Sequence, residues 1–75
     1  MKQNLSKCKI GEIWKVKEIL PSAISSKLLE MGFYQGKELE LLYKAPFGDP
    51  IAIRVGDYVL SMRKKEASLI EVESF

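Results

Sequence analysis

The side chains able to do chemistry are few and scattered. Histidine is absent from the 75 residues, which removes the imidazole general base, the histidine-based triad and the histidine zinc ligand together. Cys8 is the one cysteine, so neither an internal disulfide nor a cysteine zinc site can form within one chain. Its expected role is that of a small buried apolar residue; if exposed, Lys7 and Lys9 would lower its pKa. Asp49 and Asp57 are the only aspartates, and each stands beside a glycine where turn hydrogen bonding accounts for it. Nothing is clustered at metal-ligand spacing, so neither a dedicated transition-metal site nor a cofactor is expected in the monomer. The segment Gly32-Phe33-Tyr34-Gln35-Gly36-Lys37-Glu38 superficially resembles a phosphate loop. Its glycines are too close together, Glu38 stands where a magnesium-binding hydroxyl belongs, and it follows a helix instead of a strand. Nucleotide turnover is not expected, and the chain does not read as an enzyme.

Charge narrows the partners. Twelve Lys and Arg against ten Asp and Glu leave a formal net charge of +2, too weak to make nucleic acid the default ligand. Arg63-Lys64-Lys65 is a short basic run, either a solvated turn or a contact for an acidic partner. No apolar stretch reaches the ~20 residues that cross a bilayer, and no signal-peptide run opens the chain. Together with the single cysteine this points to the cytosol, with any membrane role acting through a partner.

Positioning these residues falls to short elements. Residues 1–10 are polar and expected to be loosely ordered, with Leu5 and Ile10 as candidates for packing. Ile13–Ile19 alternates as a strand with Trp14 and Val16 on one face. Pro21-Ser22 breaks the strand and offers a helix cap. Ile24, Leu28 and Met31 then form one helical face, widened by Leu29, and Gly32 ends the helix in a left-handed conformation. Glu38–Lys44 alternates with Leu39, Leu41 and Tyr43 inward, and Leu42 breaks the pattern as an exposed apolar residue. Residues 45–50 (APFGDP) make a loop, and Ile51–Val55 and Tyr58–Met62 a hairpin about Gly56-Asp57. Pattern and turn together pair Val55 with Tyr58, Ile53 with Leu60 and Ile51 with Met62. Across the other hairpin they predict Leu39–Val55, Leu41–Ile53 and Tyr43–Ile51, with Glu40 facing Arg54 on the outer side. A helical turn over 63–68 and a closing strand over 69–72 complete one domain spanning 1–75.

The expected fold is mainly β: a small closed barrel of about five strands with one short inserted α-helix, closure being the economical way to remove exposed edges. A barrel this small cannot bury all of Phe33, Tyr34, Phe47 and Leu42, so one or two are expected to be displayed. Phe47, between two prolines and beside Gly48, is either folded over the barrel mouth or presented as an anchor. Phe47, Gly48, Asp49, Pro50, Arg63 and Leu42 are therefore the candidate partner-binding residues.

The runs Lys27-Leu28-Leu29-Glu30-Met31-Gly32-Phe33, Ala45-Pro46-Phe47-Gly48-Asp49-Pro50, Leu60-Ser61-Met62-Arg63, Glu66-Ala67 and Ile70-Glu71-Val72 resemble the FeoA domain of bacterial ferrous iron uptake. The resemblance covers nearly the whole chain. It implies an SH3-like barrel with an inserted helix and a cytosolic accessory of FeoB, the membrane ferrous iron transporter with a GTPase-like domain. The same domain type closes iron-dependent repressors, whose DNA-reading role is not expected of this chain. The alternatives are a direct ferrous-ion carrier or sensor and a weak homo-oligomer formed through exposed strand edges.

Overall fold

The computed structural model describes residues 2–75. Six strands form one antiparallel sheet in the order β1-β6-β2-β3-β4-β5: β1 (Lys2–Asn4), β2 (Ile13–Ile19), β3 (Glu38–Lys44), β4 (Ile51–Val55), β5 (Tyr58–Met62) and β6 (Ile70–Glu73). Two short helices, α1 (Ser25–Glu30) and α2 (Lys64–Ala67), interrupt it. Among the described residues no helix is long and apolar enough to cross a membrane.

The alternation read from the sequence builds the core. Trp14 and Val16 of β2, Leu39 and Leu41 of β3, Ile51, Ile53 and Val55 of β4, Met62 of β5 and Ile70 and Val72 of β6 are all buried in one cluster. The β4–β5 register is the predicted one, Val55 to Tyr58, Ile53 to Leu60 and Ile51 to Met62. Leu39–Val55, Leu41–Ile53 and Glu40–Arg54 also pair as predicted, and Arg54 Nη2 bonds Glu40 Oε1 across the outer face.

The Schellman motif ending α1 explains why glycine occupies position 32. Phe33 N–H donates to Leu28 O (3.2 Å) and Gly32 N–H to Leu29 O (3.1 Å), with Gly32 at φ +107°. A Cβ on Gly32 would lie 3.2 Å from Val55 Cγ1 and from Tyr58 Oη, so a side chain here would crowd both neighbours as well as strain the backbone. Tyr58 Oη donates to Met31 O and clasps the helix end to β5. Phe33 is fully buried against Leu28, which settles it as a core residue.

Several expectations need correction. Residues 2–7 are not loose: β1 pairs with β6 (Lys2–Glu73, Gln3–Val72, Asn4–Glu71), and a 3-10 turn over Leu5–Lys7 turns Leu5 and then Cys8 into the core. Met1 lies outside the described residues, and Ile10, expected to pack, is exposed. Tyr43 does not pair with Ile51. A bulge between Leu41 and Tyr43 inserts Leu42 as an extra residue, so Tyr43 faces Ala52 on the outer side and Lys44 takes Ile51. Leu29, expected to widen the packed face of the helix, is exposed, and so is Tyr58, although it pairs with the buried Val55 as expected. Ser22 does not cap α1 itself; its Oγ accepts from Ile24 N–H one turn earlier, and Ile24 occupies the cap position. Finally, β1 and β5 do not pair with each other, so the sheet curls without closing its ladder. A second bulge, between Val16 and Glu18, adds to that curl.

Candidate partner-binding site

The 45–50 loop is built by its own backbone. Ala45 N–H donates to Pro50 O (3.0 Å) and Gly48 N–H to Ala45 O (2.7 Å), so the loop closes on itself between β3 and β4. Gly48 adopts φ +82°, a conformation that glycine takes without steric cost, and the Asp49–Pro50 peptide is cis. Phe47 stands at the tip with 97% of its surface exposed. Of the two readings left open by the sequence, the folded-back one is excluded.

Asp49 joins this loop to the basic run. Its Oδ1 accepts from Lys64 N–H at 2.9 Å, across 15 residues of chain. The four-residue α2 begins behind Arg63, whose side chain offers no acceptor to the first turn. Two carboxylates supply what the cap position lacks: Asp49 binds Lys64 N–H, and Glu66 Oε1 accepts from Arg63 N–H at 2.9 Å. Arg63, Lys64 and Lys65 are exposed beside the loop as a result. Phe47, Gly48, Asp49, Pro50 and Arg63 thus form one surface element, an aromatic tip with a basic flank. Leu42 sits apart from that hydrogen-bonded unit, exposed at the β3 bulge next to Tyr43.

Local turn chemistry accounted for Asp49 in the sequence, and the structure corrects that: its work is long-range. The available signal was Arg63 itself, since a helix start without a capping side chain needs an acceptor from elsewhere. Tyr43 and Val59 were also missed as exposed apolar residues of the outer face.

Metal-binding chemistry is poorly provided for. Among the described residues no three of His, Cys, Asp and Glu gather as a metal group. Burial pushes the Cys8 thiol up from its ordinary 9.0 to about 11, against a smaller opposing effect of the Gln3 side chain, and the neutral form is a poor ligand.

The FeoA domain model matches residues 3–74. The chain belongs to the FeoA family. A FeoA-like protein from Clostridium acetobutylicum is 40% identical, and its solution structure superimposes with a TM-score of 0.90 over 99% of this chain and 87% of that one. The zinc-complexed FeoA of Stenotrophomonas maltophilia, described as a prokaryotic SH3 domain protein, is 28% identical with a TM-score of 0.83, covering 97% of this chain and 89% of the other. The SH3-like class expected from the sequence is therefore the fold of this FeoA-family chain, with six strands and two helices in place of about five and one. A Porphyromonas gingivalis protein described as an Fe(2+) transport protein A/Fe(2+) transporter FeoB fusion is 45% identical over 47 residues, 63% of this chain. The match spans only 6% of that fusion protein. Family and relatives associate this chain with ferrous iron transport.

Proposed function

We propose that this FeoA-family chain is an accessory of ferrous iron uptake that binds the cytosolic part of a FeoB-type transporter and regulates it by contact. The observation that carries this reading is the fusion relative, in which a matching segment and the transporter share one polypeptide. A covalent link gives two modules a high effective concentration for each other, and a separate chain must replace that with affinity of its own. The 45–50 loop suits the task. Its closed backbone and flanking prolines leave little conformational freedom to lose on binding, and Phe47 offers a large apolar anchor. Arg63, on the basic flank, would speed encounter with an acidic surface. The test is a pull-down with the transporter's cytosolic segments, followed by association kinetics at two salt concentrations. Parent chain should be captured, and Arg63→Glu should associate more slowly and lose most of the parent's salt dependence. A folded parent that captures none of these segments would end this reading.

A second reading, a direct ferrous-ion carrier or sensor, is favoured only by the zinc-complexed relative. Anaerobic titration of the chain with Fe(II) separates the two. Stoichiometric micromolar binding by residues of one chain would support the carrier.

A further inference from the structure

The sheet ends in two outer strands of opposite character. β1 is three residues long, reads Lys-Gln-Asn and carries a charge, features that discourage another chain from adding to it. β5 is five residues long, reads Tyr-Val-Leu-Ser-Met, has no charge and no proline, and pairs with β4 without a bulge. Among the described residues no strand pairs with its other side, and Val59 is 60% exposed. An uncharged, mostly apolar outer strand with an open side is a template for another strand.

The hairpin decides which backbone groups are on offer. Val55 and Tyr58 close a two-residue turn, so they exchange hydrogen bonds with each other. Alternation then points the N–H and C=O of Tyr58, Leu60 and Met62 at β4, and those of Val59 and Ser61 at the open side. An added antiparallel strand must bond to Val59 and Ser61.

We propose that the occupant of this edge is a second copy of the same chain, joined β5 to β5 in a two-fold antiparallel ladder centred on Leu60. In that register Val59 lies opposite Ser61 of the second copy and exchanges hydrogen bonds with it, twice by symmetry. Leu60 meets Leu60 of the second copy at the centre. Asp57, just before the strand, comes opposite Arg63 of the second copy, just after it. Arg63 is the last residue with extended backbone (φ −74°, ψ 148°) before α2 turns away. Its N–H and C=O are already taken inside α2, so it contributes its guanidinium. Both residues are exposed, and among the described residues neither has an ion-pair partner in its own chain. Centring the ladder on Val59 instead would set Asp57 against Ser61 and strand Arg63. Centring it on Ser61 would set Val59 against Arg63. Only the Leu60 register satisfies backbone and charge together. An edge with an acid at one end and a base at the other is complementary to its own reverse, which is what a two-fold contact needs and what a foreign strand would match only by chance.

The experiment is sedimentation velocity of the full chain over a concentration series, with amide exchange followed by NMR. The parent should dimerise reversibly, and the Val59 and Ser61 amides should exchange more slowly as concentration rises. Asp57→Arg and Val59→Lys should each raise the dissociation constant at least about tenfold while melting like the parent. The double variant Asp57→Arg/Arg63→Asp should return to within about threefold of the parent, because the pair is rebuilt with its signs exchanged. Phe47→Ala should leave dimerisation unchanged, which separates this contact from the transporter loop. A parent monomeric to about 1 mM overturns the proposal. So does a dimer indifferent to Asp57→Arg and Val59→Lys, or edge amides protected only when a transporter segment is added.

Discussion

At the β1 end of the sheet, apolar residues are spent on the fold. Leu5 and Cys8 turn into the core from a polar strand, and Asn4 ties the segment down by donating from Nδ2 to Ser68 O while its Oδ1 accepts from Ser6 N–H. In the β3–β5 region, Tyr43 of β3, Val59 of β5 and Phe47 face solvent, and the loop that carries Phe47 is tied through Asp49 to the residues that follow β5. Both regions are ordered by hydrogen bonds, so the difference is not one of rigidity. It is one of where the apolar surface goes. The first region contributes stability and offers no surface to grip; the second costs the fold little if altered and carries the anchors a partner needs.

Stability measurements can break that comparison. The largest loss is expected for Leu5→Ala, about 2–5 kcal/mol in denaturant unfolding, since a fully buried leucine leaves a cavity behind. A loss below about 1 kcal/mol would mean that the β1 segment packs more loosely than described. Gly32→Val should follow, at ~1–2 kcal/mol for the left-handed backbone and more for the 3.2 Å approach to Val55 and Tyr58. Melting like the parent would remove both arguments for that glycine. Cys8 sharpens the contrast through pH. Its thiol ionises near 9.0 when unfolded and at about 11 when folded, so the folded state holds the proton longer. Relative to Cys8→Ala, the parent should keep its full margin below pH 9 and lose it as pH rises toward 11. A parallel pH dependence of the two proteins would place the thiol in water. Glu40→Gln, which breaks the half-exposed pair with Arg54, should cost only a few tenths of a kcal/mol in the same unfolding assay.

Legibility in the sequence follows the same divide between local and distant causes. The β4–β5 register, the end of α1 at Gly32 and the inward faces of β2 and β4 rest on alternation and turn chemistry, which are local, and they read correctly. The bulge at Leu42 was visible only as a broken pattern; which residue would be displaced depended on how β3 lies against β4, and Tyr43 was therefore placed on the wrong face. β1 carries no apolar alternation because its pairing is supplied by β6, some 70 residues away in the chain, and polar Lys-Gln-Asn gives no local hint of that. Asp49 was misread for the same reason, its partner Lys64 N–H being brought near only by the completed hairpins. The 45–50 loop was legible as a candidate because composition marks it, and its two prolines and aromatic tip need no distant information. Which way Phe47 points did.

The most direct test of the account is a paired measurement on Phe47→Ala: melting temperature of the purified chain, and affinity for the cytosolic part of a FeoB-type transporter. At 97% exposure the ring supports nothing in the fold, so Tm should stay with the parent, while binding should weaken by about 2 kcal/mol or more, roughly thirtyfold. A variant that unfolds, or one that stays folded and binds as tightly as the parent, would contradict the claim that this loop displays its aromatic residue for the transporter.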